Sequence, residues 1–116
     1  MENIPSVAAT FDDFMKLDIR VGTVQTAKLN DKARKPAYVL EIDFGEIGMK
    51  TTSAQITEHY TQEELVGKQV LAVVNFPKKQ IGPFLSEVLT LGVTDAEGKV
   101  ILVCPEKSAP NGQRLH

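Results

Sequence analysis

The sequence holds a single cysteine, two histidines and no tryptophan, and these shortages narrow what it can do. One thiol, Cys104, can neither close an intrachain disulfide nor supply a four-cysteine zinc site, which fits a reducing compartment. Cys104 ends an apolar stretch beside Pro105 and is expected to be a buried structural thiol. His59 and His116 have no patterned acid or nucleophile beside them, so a histidine-based triad has no support. His59, next to Glu58, is expected to cap a helix edge or face solvent. Gly45 and Gly48 lack the helix and lysine that complete a phosphate-cradling loop. The expectation is therefore a chain without catalytic residues, metal or cofactor.

Long apolar runs are missing too. Nothing approaches the ~20 residues of a membrane span, and residues 1–10 lack the basic start and apolar stretch of an export signal. A cytoplasmic protein without membrane insertion is expected. Thirteen Lys and Arg stand against 15 Asp and Glu, a formal charge of −2. Such a balance offers no global attraction for nucleic acid, so any such function must come from local clustering of cations.

What is there is an ordinary globular mixture, 42% hydrophobic and 24% charged, enough for one domain. Residues 1–9, with Pro5 and no periodicity, read as a loose arm, and residues 10–116 as a single domain. Thr10 followed by Asp12 and Asp13 reads as a helix start, with Phe11, Phe14 and Met15 on one face. Leu17, Ile19 and Val21 alternate with polar residues and Val24 breaks the register, which suggests a strand with a bulge or bend at Gly22. Residues 29–36 read as a loop, 37–44 as a second strand and 49–54 as a third. Thr61 with Glu64 forms a capping box, and Gly67 a helix stop. The apolar run 69–76 reads as a central strand buried on both faces. After a loop at 77–84, Val88, Leu89 and Leu91 supply a fifth strand and residues 100–103 a sixth, followed by an irregular tail marked by Pro105 and Pro110. Three strands, a short helix and further strands predict an all-β, OB-type Greek-key barrel with extensions at both ends.

Two basic clusters stand out. Lys28, Lys32, Arg34 and Lys35 crowd the loop after the first strand, and Lys68, Lys78 and Lys79 lie in or beside a stretch, residues 66–86, that has no acid. In an OB barrel these two loops border one ligand face, so the clusters predict a single cationic surface. With aromatics at only 6%, backbone and shape recognition is expected rather than base stacking. The loop also carries Phe76 and Phe84 just outside Pro77 and Pro83, with Ile81 between the prolines, and these three are expected to line an apolar recess for extended polypeptide.

Four motifs in order, Leu17-Asp18-Ile19-Arg20-Val21-Gly22, Ser53-Ala54-Gln55-Ile56, Val73-Val74-Asn75-Phe76-Pro77 and Ser86-Glu87-Val88-Leu89-Thr90-Leu91-Gly92, resemble the tRNA-binding domain family. The wording Ser-Ala-Gln-Ile and Asn-Phe-Pro is most similar to its export-related chaperone group, the CsaA group. The resemblance implies a five-stranded OB barrel whose terminal segments build a homodimer. It places Asn75, Lys78, Lys79 and Ser86 at RNA-facing positions, where ammonium, amide and hydroxyl groups suit phosphate and ribose. It further implies a chaperone for unfolded or secretory preprotein segments, with structure-specific tRNA binding in RNA handling or aminoacylation as the alternative.

Overall fold

The alternating segments pair into one curled antiparallel sheet. The computed structural model describes residues 7–31 and 34–116. A one-turn helix, α1 (Phe11–Met15), leads into β1 (Ile19–Asn30), β2 (Ala37–Asp43) and β3 (Met49–Ala54). The short α2 (Gln62–Leu65) precedes β4 (Gln69–Val73), a small hairpin of β5 (Lys79–Ile81) and β6 (Phe84–Ser86), then β7 (Leu89–Thr90), β8 (Gly92–Thr94) and β9 (Val100–Leu102). The principal sheet has the order β3-β2-β1-β4-β7, and its curl gives the five-stranded OB-type barrel. Both capping boxes form: Thr10 with Asp13 opens α1, and Thr61 with Glu64 opens α2.

Several local expectations are corrected. β1 runs on to Asn30 rather than ending before residue 29, because a bulge resets its register. Val24 pairs with Ile42 and Thr26 with Glu41, leaving Gln25 as the extra residue, so that Val24 and Ala27 both turn inward. The bulge is therefore at Gln25, not Gly22. Gly22 has a packing role: a Cβ there would lie 2.6 Å from Ile42 Cγ2 and 2.7 Å from the Phe44 ring. β4 stops at Val73, so Asn75 and Phe76 stand beyond it, and the segment 77–84 contains most of the β5–β6 hairpin, turned at Gly82 with φ +57°. The fifth strand divides into β7 and β8 at Leu91, whose N–H donates to Leu71 O while its carbonyl accepts from Val103 N–H.

β4 is buried on both faces, and this divides the interior in two. Val70 and Ala72 join Val24, Leu40, Ile42 and Phe44 in the barrel core, while Leu71 and Val73 pack with Ile19 and Val21 under Leu91, Val103 and Ala109. The C-terminal tail lies along β1 as a further edge: Val21 N–H donates to Gln113 O at 3.0 Å, and Leu115 N–H to Ile19 O at 2.8 Å. Gln69 clamps it, accepting Ala109 N–H at 2.9 Å and donating to Ala109 O at 2.6 Å. Cys104 is exposed, not buried, because the chain has left β9 and runs over the surface there. Partial desolvation still raises its thiol pKa, which makes it a poor nucleophile. His59 is partly exposed, its Nε2 2.8 Å from Asp95 Oδ2. Among the described residues, no helix is long and apolar enough to cross a membrane.

Candidate binding surface

The β5–β6 hairpin is fastened to β3 by polar groups at its base. Glu87 N–H donates to Thr51 O at 2.7 Å, and Thr51 N–H returns to Glu87 Oε1 at 2.9 Å. Ser86 Oγ lies 2.9 Å from Thr52 Oγ1 and accepts Ser53 N–H at 3.3 Å. Thr52 Oγ1 in turn donates to Val88 O at 2.8 Å. These bonds hold the hairpin beside the loop between β1 and β2. An open groove of about 670 Å³ lies between them, lined by Arg34, Lys35, Gln55, Lys79, Gln80, Ile81 and Gly82. The lining contains three cations and no acid, so it is a place for an anionic ligand.

The two basic clusters thus meet only in part. Arg34, Lys35 and Lys79 share the groove, and Lys32 lies outside the described residues. Lys28 lines a different cleft, of about 230 Å³, with Thr26, Glu41 and Phe84. Lys68 sits 5.7 Å from the centre of the Tyr60 ring. Lys78 Nζ lies 3.5 Å from Glu87 Oε2. The Thr51 backbone N–H, then Lys78, holds the Glu87 carboxyl below the usual range, so it carries full charge at neutral pH.

The polar residues of the sequence motifs are engaged in hydrogen bonds within the chain. Asn75 Oδ1 accepts Asp18 N–H at 2.9 Å and its Nδ2 donates to Lys16 O at 2.9 Å, which fastens the turn between α1 and β1. Ser86 spends its hydroxyl on β3 as described. Asp18 pairs with Arg20, Nε to Oδ1 at 2.5 Å, and lies 3.5 Å from Arg114 Nε. Arg20 Nη1 also donates to Gly112 O at 2.9 Å, so the first motif anchors the C-terminal tail.

The apolar residues of the hairpin are divided between two clefts. Phe76 and Ile81 line a cavity of about 220 Å³ with Pro77, Val88 and Leu89, whose polar wall includes Ser86, Glu87 and Lys79. Phe84 faces the separate cleft with Lys28. The cavity and the cationic groove share Lys79 and Ile81, so an apolar recess and an anion-binding groove adjoin. Gln55 and Glu87 stand within the sequence motifs without a charge or spacing signal that marks them for the site; their place in it depends on how the hairpin seats on β3. Among the described residues, no group of three or more His, Cys, Asp or Glu is placed to hold a metal ion.

A family model for the tRNA binding domain matches residues 19–114. The chain belongs to the tRNA-binding domain family. Its fold is similar to the crystal structure of the chaperone CsaA from Bacillus anthracis, with 51% identity and a TM-score of 0.89 over 95% of this chain and 100% of that one. The CsaA chaperone protein from Picrophilus torridus gives 47% identity and a TM-score of 0.86 over 94% and 100% of the two chains. Members of the family also occur within larger enzymes: a methionine–tRNA ligase of Flavobacterium johnsoniae is 39% identical over 91% of this chain. The chain spans about 15% of the length of such curated relatives, so the likeness concerns their binding domain and not their catalytic parts.

Proposed function

We propose that the chain is a chaperone-type binding protein that holds unfolded or secretory preprotein segments in the cytoplasm, as a homodimer and without chemical turnover. The observation that carries this reading is the apolar cavity under the β5–β6 hairpin. Phe76 and Leu89 remain 43% and 49% exposed at its wall, more apolar surface than the barrel core requires. Pro77, with its φ restricted, limits the ordering cost of receiving an extended segment. Likeness over 95% and 94% of the chain to two CsaA chaperones supports the same reading. The test is fluorescence anisotropy of a labelled unfolded client peptide. Phe76→Ala and Ile81→Ala are expected to weaken binding several-fold while the melting temperature stays within a few degrees. Phe84→Ala, in the neighbouring cleft, is expected to have a smaller effect. Peptide binding unchanged by both cavity variants would refute the assignment.

The homodimer reading is supported by large apolar side chains left exposed on β8, β9 and α1. Val93 and Ile101, paired across β8 and β9, are 58% and 39% exposed, and Phe11 of α1 is 69% exposed. Two-fold pairing would cover such surfaces.

A second reading, tRNA binding, is favoured by the groove that joins Arg34 and Lys35 to Lys79. Three cations on a preformed edge can neutralise phosphates of a folded RNA without reading bases. Lys35→Gln and Lys79→Gln are expected to weaken tRNA binding and to lower its salt slope by about 0.7–0.9 per lost contact. Binding insensitive to both would remove this reading and leave the polypeptide one.

A further inference from the structure

We propose that Glu87 limits the affinity of the cationic surface for RNA by holding Lys78 in an ion pair, so that Lys79 contacts phosphate freely and Lys78 only after exchange. This inference rests on the tRNA reading above. Lys78 and Lys79 are adjacent in sequence, but the structure gives them different surroundings. Lys79 lines the acid-free groove and, on its other side, the cavity whose wall includes Glu87, but it forms no ion pair among the described residues. Lys78 Nζ is 3.5 Å from Glu87 Oε2.

The Glu87 carboxylate cannot readily swing away to release its partner. Its other oxygen accepts Thr51 N–H at 2.9 Å, and its own N–H is bonded to Thr51 O at 2.7 Å, so both ends of the residue are tied to β3. The Glu87 side chain is 20% exposed and that of Lys78 is 58% exposed, so the lysine is the mobile member. An incoming phosphate would have to replace a carboxylate already in place, and would feel that carboxylate's charge once docked. A fixed anion beside mobile cations lowers affinity while preserving exchange, a property suited to a protein that must release what it binds.

Glu87→Gln tests this directly, because the amide oxygen still accepts Thr51 N–H while the charge is removed. Folded tRNA is titrated by anisotropy between low and moderate salt, with a melting curve for each variant. Glu87→Gln is expected to bind about two- to fivefold more tightly at low salt, the range set by exchange of one exposed ion pair. Its salt slope is expected to steepen by about 0.7–0.9, one added phosphate contact. The gain should largely disappear in the double variant Lys78→Gln/Glu87→Gln. In the parent, Lys79→Gln should cost more than Lys78→Gln, a comparison that leaves Glu87 untouched and stands even if Glu87→Gln folds poorly. Equal losses at the two lysines, an unchanged or weakened Glu87→Gln, or a gain that persists without Lys78 would each overturn the proposal. Binding that ignores Lys79→Gln and Lys35→Gln would overturn the tRNA reading itself, a distinct result.

Discussion

Asn75 is bound to Asp18 across the end of the barrel, its Oδ1 accepting the Asp18 N–H at 2.9 Å. The opposite amide end donates to Lys16 O, also at 2.9 Å, so one side chain bridges the turn from α1 into β1 and the chain leaving β4. Asp18 in turn faces Arg20 and Arg114, which tie down the C-terminal tail. Both terminal extensions are thus positioned by residues of the family motifs.

Asn75→Ala removes both bonds. The expected loss is about 1–3 kcal/mol of unfolding free energy, from about 0.5–1.5 kcal/mol for each of the two hydrogen bonds. Urea denaturation measures it, and a variant as stable as the parent would show that the bridge is incidental.

Gly22 supports a stronger expectation. Its missing Cβ is the space occupied by Ile42 and Phe44, both fully buried. Gly22→Ala should cost about 1–3 kcal/mol or more, because neither neighbour has room to move in the barrel core. An unperturbed denaturation midpoint would contradict the contact.

Asp95 yields a pH prediction. The Lys99 backbone N–H, then His59, lowers its pKa from 3.8 to about 2. A carboxyl depressed in the folded state adds stability that is present above its unfolded pKa near 3.8 and lost as pH falls toward 2. The stability advantage of the parent over Asp95→Asn should therefore shrink between these limits and stay level above them. Denaturation curves across the acid range will show it; an advantage that does not shrink between pH 3.8 and 2 would refute it.

The proposed homodimer predicts twice the 12.7 kDa chain mass by light scattering coupled to size exclusion at micromolar concentration. Val93→Lys with Ile101→Lys should shift the species to a single chain mass without loss of secondary structure. A parent that elutes as a clean monomer removes the assembly.

The groove, the cavity and the ion pair differ in how far they could be read from the sequence. Strand alternation, the two capping boxes and the doubly buried apolar run at β4 are properties of neighbouring residues, because the periods of side-chain direction and the reach of a cap are local. They were enough to indicate an OB-type barrel and two basic loops. The tertiary structure alone decided which cations share a surface. Arg34, Lys35 and Lys79 meet because the hairpin seats on β3 through Ser86 and Glu87, whereas Lys78, one residue from Lys79, is drawn to Glu87. It also sent Phe84 to another cleft than Phe76, bound the exposed amide of Asn75 to the α1–β1 turn and left Cys104 exposed. Each of these depends on which faces of distant segments come into contact, and residue order along the chain carries that information only through the folded packing.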